Sequence, residues 1–216
     1  MTRRVFNWVE HVESDSTRKP DLYTFTYLRL FHGCRLLSVE SYHEQGVLVM
    51  PLAELERQFR EIFSDFSTEV LQHVAGKITR RDDEWRVDAA LDLRFLLKHA
   101  SHFIVQGSEP LKVFAAHLPV IGDEDPRERL KNAGVPTAFV IDAPLDEVDD
   151  RALEELDEKL SILAKKGGYE VCYDGDMIDF TVSFAKGVPS EWLSRHETIR
   201  EATDPADHSR KYYFYE

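Results

Sequence analysis

Apolar side chains recur at steps of three and four from residue 51 to residue 75, and this stripe constrains the fold more than any other feature of the sequence. Its members are Leu52, Leu55, Phe59, Ile62, Phe63, Phe66, Val70, Leu71 and Val74. Pro51 suits the first turn of a helix, where a missing N–H costs nothing, and Gly76 suits its end. The pattern predicts one long amphipathic helix over 51–75 that packs its apolar face against a core.

Alternating patterns predict strands in the first half of the chain. Residues 21–32 place aromatic side chains at every second position, which is typical of a strand. Gly33 then indicates a turn, with residues 35–42 as the returning strand of a hairpin and residues 46–50 as a short third strand. A further strand is predicted over residues 111–121.

The last third of the chain has the clearest supersecondary pattern. A strand over 137–143 precedes a helix that Asp149 or Asp150 would cap. This helix carries Leu153, Leu156, Leu160 and Leu163. Two strands follow, over 169–173 and 176–184, and the order β-α-β-β suits a ferredoxin-like arrangement. The whole chain therefore predicts an α+β fold with antiparallel sheets and packed helices.

A charged stretch at 122–135, which is bounded by glycines and contains Pro126, predicts a short helix within a surface connection. We expect this connection to separate an N-terminal α+β domain, residues 1–121, from a C-terminal α+β domain, residues 136–216. The last six residues, 211–216, are suited to one more strand.

Acidic residues outnumber basic ones by 40 to 27, and the formal net charge is −13. Such a chain repels a phosphate backbone, so the charge disfavours nucleic acid and favours a basic protein surface as the partner. No stretch approaches the length of apolar sequence that a membrane-spanning helix needs. Cys34 and Cys172 cannot form a disulfide framework and have no zinc spacing, so we expect a cytoplasmic protein.

Three aspartates, Asp174, Asp176 and Asp179, lie close together and raise the question of a metal site. Asp174-Gly175 stands between two alternating apolar runs, which is typical of a two-residue hairpin turn. A calcium loop would need more oxygen ligands and a closing glutamate, and this stretch has neither. The sequence favours the turn, and a site for a divalent metal at the three aspartates with a histidine is the alternative.

The sequence contains no recognised motif for catalysis or for a cofactor. It lacks a glycine-rich phosphate loop, a GxSxG motif and an HExxH motif. His99 and His102 are spaced so that they could share a helix face, but no third metal ligand accompanies them. We therefore predict no catalytic residue and no cofactor.

The stretch LEELDEKLSILAKKGGYEVCYDGD, residues 153–176, resembles the closing part of the RraB family, which consists of regulators of ribonuclease E activity. The matching residues are Leu163, Ala164, Gly167, Gly168, Tyr173, Asp174 and Gly175. Asp176 stands where the family usually has a tryptophan, and the residues YEVC separate the glycines from the YDG motif. The resemblance implies a small, acidic, cytoplasmic α+β protein that binds and inhibits an enzyme and has no chemistry of its own.

We predict a non-enzymatic regulatory or inhibitor-type protein that binds a basic protein partner through an acidic surface. The expected contact is the polar face of the helix that begins near Asp149, and the same charges also suit a face that is merely solvated. This face carries Glu147, Asp149, Asp150, Glu154, Glu155, Asp157 and Glu158. Two alternatives stay open: a metal-dependent hydrolase with an Asp/His site, and a structural subunit whose aromatic residues at 211–216 lie in an interface. The sequence does not specify an oligomeric state.

Overall fold

A mostly antiparallel sheet lies at the centre of the structure, a computed structural model that describes residues 3–14, 18–36, 38–77, 85–120, 124–165 and 177–214. Its strands are β1 (Val5–Phe6), β2 (Tyr27–Leu36), β3 (Val87–Ala90), β4 (Val135–Pro144), β5 (Thr181–Phe184) and β6 (Leu193–Thr198). The order across the sheet is β5-β3-β2-β4-β6. The short β1 pairs in parallel with the start of β2, and the other neighbouring strands of this sheet are antiparallel.

Helices surround this sheet. They are α1 (Trp8–Ser14), α2 (Glu40–Gln45), α3 (Leu52–Ile62), α4 (Thr68–Ala75), α5 (Leu93–His99), α6 (His102–Gln106), α7 (Glu109–Ala116), α8 (Pro126–Leu130) and α9 (Asp150–Lys165). A separate two-stranded sheet joins β7 (Glu201–Asp204) to β8 (Arg210–Tyr213). This architecture confirms the predicted α+β fold. Among the described residues, no helix has the length and apolar composition that crossing a bilayer requires.

The two longest strands, β2 and β4, send alternate side chains into two different cores. Leu30 on β2 and Ile141 on β4 belong to a core that includes residues of α1 and α9. Phe31 and Val140 belong to a second core, on the other side, with residues of α5 and α6. The sheet is therefore covered on both faces. A third core joins α3, α4, α7 and α8 beside it.

The central sheet runs across the predicted connection at 122–135. β2 and β3 come from residues 1–121, whereas β5 and β6 come from residues 136–216, and β4 begins at Val135, the last residue of the predicted connection. β2 and β4 are in register from Tyr27 and Pro144 to Leu36 and Val135, and β3 and β2 lie between β5 and β4. A division into two domains there cuts through one continuous sheet. The short helix predicted at this place is present as α8.

The long helix predicted over 51–75 is two helices, and the prediction of one continuous helix is wrong. The chain leaves the helical conformation at Phe63, where φ is −111° and ψ is 34°. Ser67 then begins α4 as its N-cap, because its hydroxyl accepts a hydrogen bond from the Val70 N–H. The apolar stripe is nevertheless buried as predicted. Its buried members are Leu55, Phe59, Phe63, Phe66, Leu71 and Val74.

The strand predicted over 111–121 is wrong, because this segment begins as α7. Pro110 occupies the first turn of α7, where proline suits a helix. Leu111, Phe114, Ala115 and Leu118 follow at helical spacing and are buried. The ring of Phe114 stacks on that of Phe59 in α3, with 4.8 Å between their centroids. Helix–helix packing therefore decides the conformation here.

The hairpin predicted at Gly33 is also wrong, because Gly33 lies inside β2. A Cβ atom at this position would lie 2.7 Å from Cγ1 of Ile104 in α6, so the glycine allows the helix to approach the strand. Leu22–Thr24 forms a 3-10 turn, and part of the predicted returning strand is α2. Within 46–50, only Val47 pairs, through one isolated bridge to Val188.

The helix predicted near Asp149 is α9, and its four leucines are buried against the sheet as predicted. The ferredoxin-like pairing is not present among the described strands. β5 pairs with β3, and both β3 and β2 lie between β5 and β4. The strand predicted over 169–173 and the turn at Asp174-Gly175 lie outside the described residues. The strand predicted over 176–184 is described from residue 177, and its paired part is β5.

Candidate functional site

Helix α9 separates its apolar and acidic residues onto two faces. Asp149 precedes the helix, and its carboxylate accepts hydrogen bonds from the N–H groups of Arg151 and Ala152, at 3.0 and 3.3 Å. This cap satisfies backbone donors that the first helical turn leaves without partners. Since the leucines face the core, the carboxylates of the remaining positions face solvent.

Three of the seven predicted partner-binding residues already have partners within the protein. Asp149 is occupied as the N-cap of α9. Glu155 accepts a hydrogen bond from Arg151 at 3.0 Å on the same helix face. Asp157 is half-buried and forms an ion pair with Lys19 at 2.7 Å. These three carboxylates support local structure, and their charges are partly neutralised.

The other four predicted residues are exposed carboxylates at the surface of α9 and the turn before it. They are Glu147, Asp150, Glu154 and Glu158. No hydrogen bond or ion pair joins their side chains to another residue in the part of the chain that the structure describes. We call these four residues the open carboxylates. Their side chains therefore present negative charge to solvent without a direct ion pair to a described basic residue.

A small cavity of about 240 Å³ adjoins the open carboxylates at the start of α9. Its walls are Leu22, Tyr23, Leu145, Asp146, Asp150 and Leu153. We call it the Tyr23 cavity, because the Tyr23 side chain is 74% exposed and stands at its edge. The cavity thus combines an apolar wall and an aromatic ring with two carboxylates.

The 3-10 turn that carries Tyr23 is held by Asp21. The Asp21 carboxylate accepts a hydrogen bond from the Tyr23 N–H at 3.2 Å, and its carbonyl accepts one from the Thr24 hydroxyl at 2.8 Å. The sequence pattern misses this site because the aromatic alternation predicts a strand there. Pro20-Asp21 is the signal that could have indicated a turn. Asp146, which precedes the predicted acidic face, is missed as well.

The alternative metal site has one of its three aspartates, Asp179, in the part of the chain that the structure describes. Asp174 and Asp176 lie outside the described part of the chain. Asp179 is exposed, and its backbone carbonyl accepts a hydrogen bond from the Lys159 ammonium group. Within the described ranges, no group of three or more His, Cys, Asp or Glu side chains is arranged to hold a metal ion.

The histidines do not form the arrangement that the sequence allows. His99 ends α5 and His102 begins α6, so they do not share a helix face. A different pair meets instead: Nε2 of His43 and Nδ1 of His196 lie 2.9 Å apart beside the ring of Phe139. This cross-element contact links α2 to β6, and sequence spacing gives no sign of it.

The aromatic C-terminal segment forms the predicted additional strand in part. β8 pairs with β7, and the Tyr212 hydroxyl donates a hydrogen bond to Asp207 and accepts one from Lys131. Tyr213 is 54% exposed. Tyr212 is therefore fixed within the fold, whereas Tyr213 remains at the surface.

Comparison with known proteins gives no relative for this chain. No model of a protein family, no curated protein and no solved structure matches it. The geometry of the site and the chemistry of its residues therefore carry the functional argument.

Proposed function

We propose that this is a non-enzymatic regulatory protein of inhibitor type that binds a basic segment of a protein partner at the acidic surface of α9. The Tyr23 cavity is the observation that carries the proposal. A face that is merely solvated needs only exposed charges, whereas this surface also has a cavity whose walls combine apolar groups with the carboxylates of Asp146 and Asp150.

The cavity suits the side chain of a lysine or an arginine. Both side chains have an apolar stem that packs along hydrophobic surface and a cationic end that seeks charge. Leu145 and Leu153 can cover the stem, while the two aspartates attract the cationic end. A cation beside the Tyr23 ring gains a further attraction, worth about 0.5 to 1 kcal/mol at an exposed site.

The open carboxylates extend this recognition beyond one side chain. Glu154 and Glu158 lie one helical turn apart, so they present a row of charge along α9. Since the chain carries −13 overall, a basic partner is drawn toward the protein before contact, and ionic strength weakens that steering. The resemblance of residues 153–176 to the RraB family accords with the proposal, since it implies a protein that inhibits an enzyme by binding to it.

Charge reversal on α9 tests the proposal. Partners are captured from native extract with the wild-type protein and identified by mass spectrometry, and the association rate of the purified partner is measured over a salt series. Glu154→Lys combined with Glu158→Lys should lower that rate and flatten its salt dependence. Tyr23→Ala should speed dissociation with little effect on stability, because the ring is mostly exposed.

A charge-matched control separates the surface from the overall charge. Glu44→Lys combined with Glu191→Lys changes the net charge by the same amount at two exposed positions on other elements. This variant should keep most of the wild-type association rate. Equal losses in both variants, or wild-type rates in the α9 variant, would refute docking at this surface.

A further inference from the structure

A second, larger cavity, of about 440 Å³, lies where the three hydrophobic cores meet. Val47 contributes to it from the first core, Leu96 from the second, and Leu55 and Leu111 from the third. Its volume falls within the range of about 300 to 1,000 Å³ that is typical of sites for small molecules. We call it the central cavity.

The central cavity has residues of both β2 and β3 in its lining, beside the place where these two strands stop pairing. β2 is in register with β4 along its whole length, but with β3 only at Phe31 and Ala90. Beyond that pair, the His32 ring nitrogen Nδ1 lies 2.8 Å from the backbone carbonyl of Asp88. A side chain thus makes the link that backbone groups make elsewhere in the sheet. The space between the diverging strands opens toward α3 and α7.

Three ionisable side chains in the lining of the central cavity, those of His32, Cys34 and Tyr42, are shifted toward their neutral forms. Burial raises the pKa of the Cys34 thiol to about 12, and burial together with the nearby Cys34 raises that of the Tyr42 phenol to about 12. Burial lowers the pKa of His32. Each shift favours the neutral form of the side chain, because a low-dielectric site disfavours charge.

The guanidinium of Arg35 is the charged group among the lining residues that lies deepest in the fold, and backbone carbonyls occupy its donors. It donates hydrogen bonds to the carbonyls of Ile104, Val105, Ala133 and Gly134, at 2.8 to 3.2 Å. Arg86, Asp88 and Glu109 also contribute to the lining, but these residues are exposed. Apart from Arg35, whose donors are occupied, the charged groups of the lining are therefore exposed, and the rest of the wall consists of apolar and neutral polar groups.

The Ser108 side chain supplies a polar group to the lining of the central cavity. The Ser108 hydroxyl oxygen is buried and has no hydrogen bond within the described residues. Ser108 precedes α7 as its N-cap residue, but its side chain makes no capping bond. Buried hydroxyl groups nearly always have a partner, so an unpaired one beside a cavity indicates a place where a ligand atom can bind.

We propose that the central cavity binds an uncharged, mainly apolar small molecule whose single hydroxyl or carbonyl group pairs with the Ser108 hydroxyl. The site is separate from the acidic surface of α9, and its ligand belongs to another chemical class. Apolar area removed from water provides the affinity, and Ser108 orients the polar end.

Two fluorescent probes with nearly the same skeleton test the charge preference. N-phenyl-1-naphthylamine is uncharged, and 8-anilinonaphthalene-1-sulfonate adds one sulfonate group. The uncharged probe should bind with one-to-one stoichiometry and about tenfold more tightly than the sulfonate, because the sulfonate loses its hydration on burial and the donors of Arg35 are already bonded to backbone carbonyls. Absence of saturable binding, or equal affinity for the two probes, would overturn the proposal.

A substitution that fills the central cavity tests whether the probe binds there. Ala100 is in the lining, and Ala100→Leu should weaken binding of N-phenyl-1-naphthylamine about tenfold or more by occupying the space. Ala53→Leu makes the same change at an exposed position of α3 and should leave binding unchanged. If Ala100→Leu does not fold, as judged by circular dichroism, Val49→Phe fills the cavity from another wall. Equal losses in the filling and control variants would contradict the assignment.

The role of Ser108 is tested with a ligand that carries a hydroxyl group. 1-Decanol should displace the bound probe, whereas decanoate, which is charged at neutral pH, should displace it poorly. Ser108→Ala should weaken 1-decanol by about three- to tenfold, the value of one hydrogen bond, and should not alter N-phenyl-1-naphthylamine. Unchanged competition by 1-decanol in Ser108→Ala would exclude Ser108 as the polar contact.

Discussion

The carboxylate of Asp142 and the open carboxylates of α9 are the same chemical group in opposite surroundings. Asp142 lies within β4, where it is 2% exposed. It accepts hydrogen bonds from Arg29 at 2.8 and 3.1 Å and from Arg3 at 2.6 Å. The carboxylates of Glu154 and Glu158 are exposed and have no such partner among the described residues.

This difference separates charges that hold the fold from charges that are available to a partner. Arg3 and Arg29 neutralise the buried carboxylate and connect the N-terminal segment to β2 and β4. The charge of Asp142 therefore stabilises the fold and is not available to a partner. The hydrogen bond to Asp142 also raises the pKa of Arg29, which stays ionised. The open carboxylates add little to the fold, and their charge can act on another molecule.

The largest expected effect follows from removal of the buried carboxylate. Asp142→Ala should lower the free energy of unfolding by about 3 to 5 kcal/mol, because the partly buried guanidinium of Arg29 then lacks its main counter-ion. Chemical denaturation at neutral pH measures this change. Asp146→Ala, at an exposed position, is the control and should stay within about 0.5 kcal/mol of wild type. A loss below about 1 kcal/mol for Asp142→Ala would contradict the structural role.

The pH dependence of stability should show that burial favours the neutral form of His32, which lines the central cavity. Because burial lowers the folded-state pKa of His32, the unfolded chain binds a proton at this residue at a higher pH than the folded protein does. Stability should therefore fall as pH decreases below about 6.5, the usual pKa of histidine. His32→Asn keeps a donor for the Asp88 carbonyl and should lose less stability between pH 7 and pH 5. Equal losses in both proteins would show that His32 does not contribute.

A smaller effect is expected where a carboxylate of α9 has a partner at the surface. Asp157→Asn removes the ion pair with Lys19, and each of these side chains is 35% exposed. Its cost should be no more than about 1 kcal/mol, and the difference from wild type should shrink in high salt. Thermal unfolding at low and high ionic strength measures both quantities. A cost near that of Asp142→Ala would remove the distinction between the two regions.

Features with a strong local signal could be predicted from the sequence. The leucines of α9 face the core as their spacing predicts, and Asp149 caps the helix because its carboxylate reaches two nearby N–H groups. The burial of the apolar face of residues 51–75 is predicted correctly for the same reason. The break between α3 and α4 could not be predicted, because Ser67 becomes an N-cap only after the chain has left the helical conformation at Phe63.

Features that depend on tertiary contacts could not be predicted. Gly33 suggests a turn in the sequence, but it lies in β2, where it pairs with Ala138 and where Ile104 of α6 leaves no room for a side chain. The Tyr23 cavity needs the 3-10 turn to lie against α9, and no sequence pattern joins Leu22 to Leu153. Asp142 is likewise inconspicuous in the sequence, since its two arginines are more than a hundred positions away.

An NMR titration tests the central claim, that a basic segment binds at the Tyr23 cavity and the open carboxylates. Backbone amide signals are followed while a blocked peptide of lysine and arginine residues is added. We expect saturable shifts confined to residues 22–24 and 145–158. Tyr23→Ala combined with Asp146→Asn and Asp150→Asn should abolish them. Shifts spread evenly over other exposed acidic residues such as Glu44, or shifts that persist in this triple variant, would contradict the claim.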